Sequence, residues 1–274
     1  MADMWKKCRN NKNFMIGLGM VAFLGLLLLL SFIYLPYDPN EMDTLNSFQG
    51  PSAAHLLGTD NFGRDIFSRI VKGSQTAFLV GFTAVAIGMA IGVILGAAAG
   101  YFQGWIDKII MLIMDAKMAF PGVILALVFI TIFGSGILNT AAALGIMAIP
   151  RFCRMTRSGF MQIKEMDYIK AARTRGASNL RIMFIHILPN VVSSLIVTAS
   201  LGFSSAVLSE AGLSYLGLGI QPPDASWGKM LFEAQGYLLT NPWYAVVPGV
   251  MITIMVLGFN LLGDGIRDIT DCRS

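Results

Sequence analysis

Charge is what this sequence has least of. Only 13% of its 274 residues are Asp, Glu, Lys or Arg, against 55% hydrophobic residues, and the mean hydropathy is +0.66. An average soluble domain carries roughly 25% charged residues. A water-facing surface cannot be clothed with so few polar groups, so a soluble globular chain is excluded. A lipid solvent removes the contradiction. Cysteine and histidine are scarce as well. Cys8, Cys153 and Cys272 show no metal-ligand spacing, and His55 and His186 stand far apart. This predicts no metal site and unpaired thiols on a reducing side. No Gly-x-x-x-x-Gly-Lys-Ser/Thr phosphate loop, no His-Glu-x-x-His and no Ser/His or Asp pair within the apolar runs is present. Nucleotide hydrolysis and intramembrane catalysis by this chain are therefore not expected. Gly17-x-Gly19-x-x-Ala22 imitates a dinucleotide fingerprint, but it lies inside an apolar run rather than after a strand.

Long uncharged runs are what is present. A bilayer-spanning helix needs about 20 apolar residues. By that measure the chain divides into a basic N-terminus at 1–13, a first span at 14–34 and an external segment at 35–73. Further spans are expected at 74–100, 109–133, 138–155, 191–219 and 243–262, with a turn at 101–105 and a break at Gly134-Ser-Gly136. The main membrane-spanning body is then 74–264, with a polar internal loop at 157–190 and a short charged tail at 265–274. The expected fold is an all-α polytopic membrane protein with six transmembrane helices and both termini inside. The basic residues support that orientation. Arg64, Arg69, Lys72 and Lys229 fall outside, leaving 16 of the 20 Lys and Arg inside, as the positive-inside rule requires. The net charge of +4 is thus a topology signal, and nucleic acid is not an expected partner.

Three features point to mechanism. Gly88, Gly92, Gly96 and Gly100 recur every fourth residue. They place a small-residue face on one helix, suited to close packing within the bundle or against a partner. Glu210 is a carboxylate in the outer half of the fifth span, where a charge is costly. It either lines a translocation path or pairs with a neighbouring helix. The stretch 165–189 predicts a short helix over 166–175, stopped by Gly176 in a left-handed cap. A second short helix, capped by Ser178 or Asn179, would follow, with Pro189 ending it or beginning the next.

In that stretch Ala171-Ala172, Gly176 and then Leu188-Pro189 resemble the Glu-Ala-Ala loop of ABC importer permeases. Lys170 stands where the family usually has Glu, and His186 where it often has Ile. The segments 55–69, 213–228 and 260–268 are similar, in the same order, to the dipeptide, oligopeptide and nickel permeases of the C type. The resemblance implies a coupling helix involving Asp167, Tyr168, Ala171, Ala172, Gly176, Leu188 and Pro189 that docks on a cytoplasmic ATPase. It also implies a second homologous permease, two ATPase subunits that bind ATP and Mg, an extracytoplasmic solute-binding protein, and residence in a bacterial cytoplasmic membrane. No cofactor is expected in this chain. The cargo implied is a dipeptide or oligopeptide, with nickel or a metal chelate as the alternative. A stand-alone secondary transporter or channel is the competing class. It would be expected to show several ionisable groups within spans, or an internal repeat.

Overall fold

A computed structural model describes residues 8–271. Regular structure among them is helical, apart from an isolated bridge between Thr59 and Asp65. The all-α polytopic architecture expected from hydropathy is the one observed.

Helix α1 (Lys12–Ile33) begins where Asn11 accepts a hydrogen bond from the Phe14 N–H. It packs against the last helix, α9 (Trp243–Asp271), through glycines. A Cβ on Gly17 would lie 2.5 Å from the Leu262 nitrogen, and one on Gly258 would lie 2.9 Å from the Met20 Cβ. Helix α9 runs past the predicted span end at 262, so the charged tail is helical through Asp271.

Helix α2 (Ile66–Phe102) is 37 residues long. It starts at Ile66, not at residue 74, because Asp65 accepts from the Ser68 N–H and caps it there. The first eight residues of the helix therefore belong to what the sequence assigned to the external segment. The left-handed Gln103 and Gly104 (φ 58° and 59°) stop it at the predicted turn.

The predicted span 109–133 is not one helix. It consists of α3 (Gly104–Met118) and α4 (Gly122–Phe133), bent by 86°. Pro121 lacks an N–H and disfavours helical backbone in the residue before it, which is why the chain breaks there. After Gly134 and Gly136 (φ 91° and 135°) comes α5 (Ile137–Lys164), with the Asn139 amide closing the end of α4 by donating to the Phe133 carbonyl at 2.8 Å. Helix α5 passes through Pro150 and ends at Lys164, beyond the predicted 155.

The short α6 (Asp167–Thr174) leads to α7 (Asn179–Tyr215), which contains a π-helical turn over Ile182–Ile187. Helix α8 (Trp227–Ala234) lies between α7 and α9. Helices α1, α2, α7 and α9 are long and apolar enough to cross a bilayer, and the bent α3–α4 pair makes a fifth such element. The expected count of six is reached only by adding α5. That helix falls short of the apolar requirement because its second half carries Arg151, Arg154, Arg157 and Lys164.

Candidate functional site

The elbow between α5 and α7 is held from below and beside. Helix α6 buries a single side chain, Ile169, among Tyr101, Phe160, Ile163, Ile182, Met183 and Ile187. Asp167, Tyr168, Lys170 and Ala171 face outward. Asp167 lies in the first turn, where the helix dipole favours a carboxylate. Lys170, which stands where the resembled permeases usually have Glu, lies 3.7 Å from Asp167. Gly176 adopts φ 81° and stops α6 as predicted. Its N–H donates to Arg173 O at 3.0 Å, and the Ala177 N–H donates to Ala172 O at 3.1 Å, the paired bonds of a Schellman cap. Ser178 caps the next helix, accepting from the Arg181 N–H.

No second short helix follows. From Asn179 the chain runs without a break into the membrane. Leu188 and Pro189 stand at the start of the regular part of α7, just after the π turn. There the Leu188 N–H donates to Met183 O, five residues back. A proline cannot supply the next helical donor, and the wider turn absorbs that defect without ending the helix. Tyr168, Ala171, Ala172 and Gly176 line one groove of about 550 Å³, closed on the other side by Arg181 and His186. Asp167, Leu188 and Pro189 do not line it.

A residue outside the predicted set ties the elbow to the bundle. Tyr101, at the end of α2, is 3% exposed. Its hydroxyl donates to Asn179 Oδ1 at 2.7 Å and accepts from Arg173 at 3.4 Å. Its carbonyl accepts from Lys164 Nζ at 2.7 Å. The signal in the sequence was an aromatic residue with a polar tip at the end of an apolar run, where such rings sit at the membrane boundary.

The glycine face of α2 packs against α5. A Cβ on Gly88 would lie 2.7 Å from the Ala148 Cβ, and one on Gly92 would lie 2.6 Å from the Phe152 Cβ. One on Gly96 would lie 2.3 Å from Cys153 O, and one on Gly100 would lie 2.6 Å from Arg157 O. This is the contact within the bundle. Glu210 is 3% exposed, and its Oε1 accepts from the hydroxyls of Ser214 and Ser226, each at 2.7 Å. Ser226 also caps α8, so the carboxylate fastens α8 to α7. Between α5, α7 and α9 runs a groove lined by Arg151, Ser205 and Asn260, with a narrow extension to Ser209, and Glu210 lines neither.

The end of the bundle opposite the elbow holds an ionic cluster that the sequence did not suggest. Arg64 donates to Asp60 and to Glu233, each at 2.6 Å. Arg69 donates to the same Glu233 oxygen at 3.3 Å, and the Tyr244 hydroxyl donates to it at 3.0 Å. Burial works against the Arg64 charge, but Asp60 and Glu233 outweigh it and hold its pKa above the usual arginine value. The cluster joins the 35–65 segment to α2, α8 and α9.

Comparison with known proteins accords with this architecture. Residues 88–273 match the family of binding-protein-dependent transport system inner membrane components. Residues 1–51 match the N-terminal TM domain of oligopeptide transport permease C. The glutathione transport system permease protein GsiD of Pectobacterium atrosepticum is 46% identical over 86% of this chain and 79% of its own length. The dipeptide transport system permease protein DppC of Alkalihalophilus pseudofirmus is 41% identical over 98% of this chain and 88% of its own. The inward-facing MetNI methionine ABC transporter shares the fold, with a TM-score of 0.58 at 21% identity over 73% of this chain and 94% of its own. The chain belongs to the ABC importer permease family, as the inner-membrane permease component, not the ATPase, of a binding-protein-dependent transport system.

Proposed function

We propose that this chain forms one membrane-spanning half of an ATP-driven importer of small peptides. A second, similar permease would supply the other half, two ATPases binding ATP and Mg would dock below, and a solute-binding protein would deliver cargo from outside. The termini and the elbow lie on the cytoplasmic side of a bacterial inner membrane, with α5 as the sixth crossing.

The observation that carries this reading is the elbow. A short outward-facing helix is anchored by one buried isoleucine, turned by a left-handed glycine, and fused without a break to a membrane-crossing helix. A push on α6 is transmitted to α7 through the cap and to α2 through Tyr101. That is the form a lever between an ATPase and a transmembrane gate requires. Relatives named for dipeptide and glutathione transport support a small peptide as cargo.

The test is uptake of labelled dipeptide, glutathione and nickel in cells lacking the gene, complemented with the unaltered chain or with Gly176→Pro. Proline fixes φ near −65° and cannot occupy φ 81°. Peptide uptake is expected to return with the unaltered gene. With Gly176→Pro it is expected to stay absent, although the protein inserts normally. Nickel rescue alone would overturn the peptide assignment, and normal uptake by Gly176→Pro would overturn the lever.

A further inference from the structure

A groove of about 580 Å³ runs between α5, α7 and α9, a size within the ~300–1,000 Å³ common for ligand sites. Arg151 of α5, Ser205 of α7 and Asn260 of α9 line it, with Met155, Leu201 and Leu208 as apolar wall. A narrower arm of about 100 Å³ continues past Arg151 and Ser205 to Ser209. Ser205 lies roughly 15 Å of helix rise from the Tyr215 end of α7. Val256 lies roughly 20 Å from the Trp243 end of α9. The groove thus sits within a ~30 Å hydrocarbon core, and Arg151, roughly 21 Å of helix rise from the Ile137 end of α5, opens onto it in the inner half of the bilayer, not at the inner face to which the sequence assigned it.

Arg151 differs from its neighbours on the same helix. Arg154 pairs with Asp115 at 2.5 Å, and Arg157 grips Asp107 at 2.5 and 2.6 Å. Both carboxylates of α3 are therefore engaged, and the carboxylate of α7, Glu210, is held by two serines. Among the described residues Arg151 forms no ion pair, and its side chain is exposed to the groove. Ser204 and Thr198 donate their hydroxyls to main-chain carbonyls. Ser205 and Ser209, one helical turn apart, have no such partner among the described residues and line the groove at the level of Arg151. A permanent cation at this depth is costly unless it serves a polar path. A guanidinium and two hydroxyls lining one groove present the donors that a carboxylate accepts from.

We propose that Arg151, Ser205 and Ser209 form an anion subsite on the translocation path that receives the terminal carboxylate of a peptide in transit. This rests on the peptide-importer reading above. A peptide crossing the bilayer must carry a charged terminus through a low-dielectric zone, and a fixed cation within that zone lowers the barrier. The apolar wall accommodates the aliphatic part of the cargo.

The test uses the complete transporter in liposomes, supplied with saturating loaded binding protein. Uptake of a dipeptide and of its C-terminal amide is measured for the unaltered complex, Arg151→Gln and Arg151→Lys. For each peptide, recognition by the binding protein is common to all variants and cancels in the variant-to-unaltered ratio. In Arg151→Gln, free-acid uptake is expected to fall about tenfold, the loss of one charge-assisted contact. Amide uptake is expected to change less than about twofold. Arg151→Lys should restore most of the free-acid rate.

A second readout needs no amide transport. Ser205→Cys, made with Cys8→Ser and Cys272→Ser, is labelled by anionic and cationic thiosulfonate reagents. The anionic reagent should react several times faster, and the preference should vanish when Arg151→Gln is added. Equal loss of both peptides in an intact complex, no loss at all, or an unchanged reagent preference overturns the subsite alone. Absence of peptide uptake by the unaltered complex overturns the peptide reading itself, whatever the reagents show.

Discussion

Glu210 shows how far one residue can be read before its surroundings are known. Its position in an apolar run left two readings open, a lining of the translocation path or a pair with a neighbouring helix, and in the fold it is held by two serines, one of them the cap of α8. Replacing it with alanine leaves both hydroxyls without their acceptor, a cost of about 1–3 kcal/mol. Glu210→Gln retains an acceptor and should cost less. Thermal unfolding of the purified protein in detergent measures both, and equal melting of the two variants would contradict the brace. Tyr101 is the opposite case, a residue the sequence left as part of a turn. Tyr101→Phe keeps the packed ring and removes the hydroxyl that joins Asn179 and Arg173. Expression and melting should stay near normal while ATPase activity and transport come apart. Measuring moles of ATP hydrolysed per mole of peptide moved should show the ratio rising.

At the scale of elements, the glycine stripe and the proline breaks decide the packing. Apolar burial does not drive helices together in lipid, so close approach through small residues must do so. The Gly96 Cα side of α2 faces the Cys153 carbonyl so closely that even a methyl group cannot fit without movement of one backbone. Gly96→Ala should therefore destabilise by about 1–3 kcal/mol, the usual cost of overpacking. A control, Gly19→Ala on α1, meets no neighbour within 4 Å and should leave melting unchanged. The stripe was visible as a period of four, but α5 as its partner was not, since several apolar helices could have supplied a close-packed face. The 86° bend at Pro121 was likewise missed. The uncharged run continues through it, and hydropathy averages over a break that a single proline makes.

Across the whole molecule, the ionic cluster and the topology set what the chain can do as a unit. Glu233 serves Arg64, Arg69 and Tyr244 together. Removing one member of such a buried set typically costs about 3–5 kcal/mol, because it leaves an uncompensated charge. Glu233→Gln should free the 35–65 segment, seen as faster tryptic cleavage after Arg64 in intact spheroplasts. Unchanged cleavage would show that the apolar contacts suffice. For topology, Thr44→Cys and Arg175→Cys should be labelled by an impermeant thiol reagent from opposite faces of the membrane. Labelling from the same face would mean that either the bent α3–α4 pair or α5 does not cross.

Composition, run length and the placement of Lys and Arg determined that this chain is a helical membrane protein. Residue patterns determined the left-handed stop at Gly176, the break at Gly134–Gly136 and the family. These are local or summed properties, and lipid admits few alternatives to a helix. Partnership was decided by the tertiary structure: α5 against the glycines of α2, Tyr101 under the elbow, Glu210 with Ser226, and Glu233 with two arginines more than 160 positions away in the sequence. A charge in an apolar run announces that it needs a partner, but which partner it meets depends on distances that only the folded chain defines.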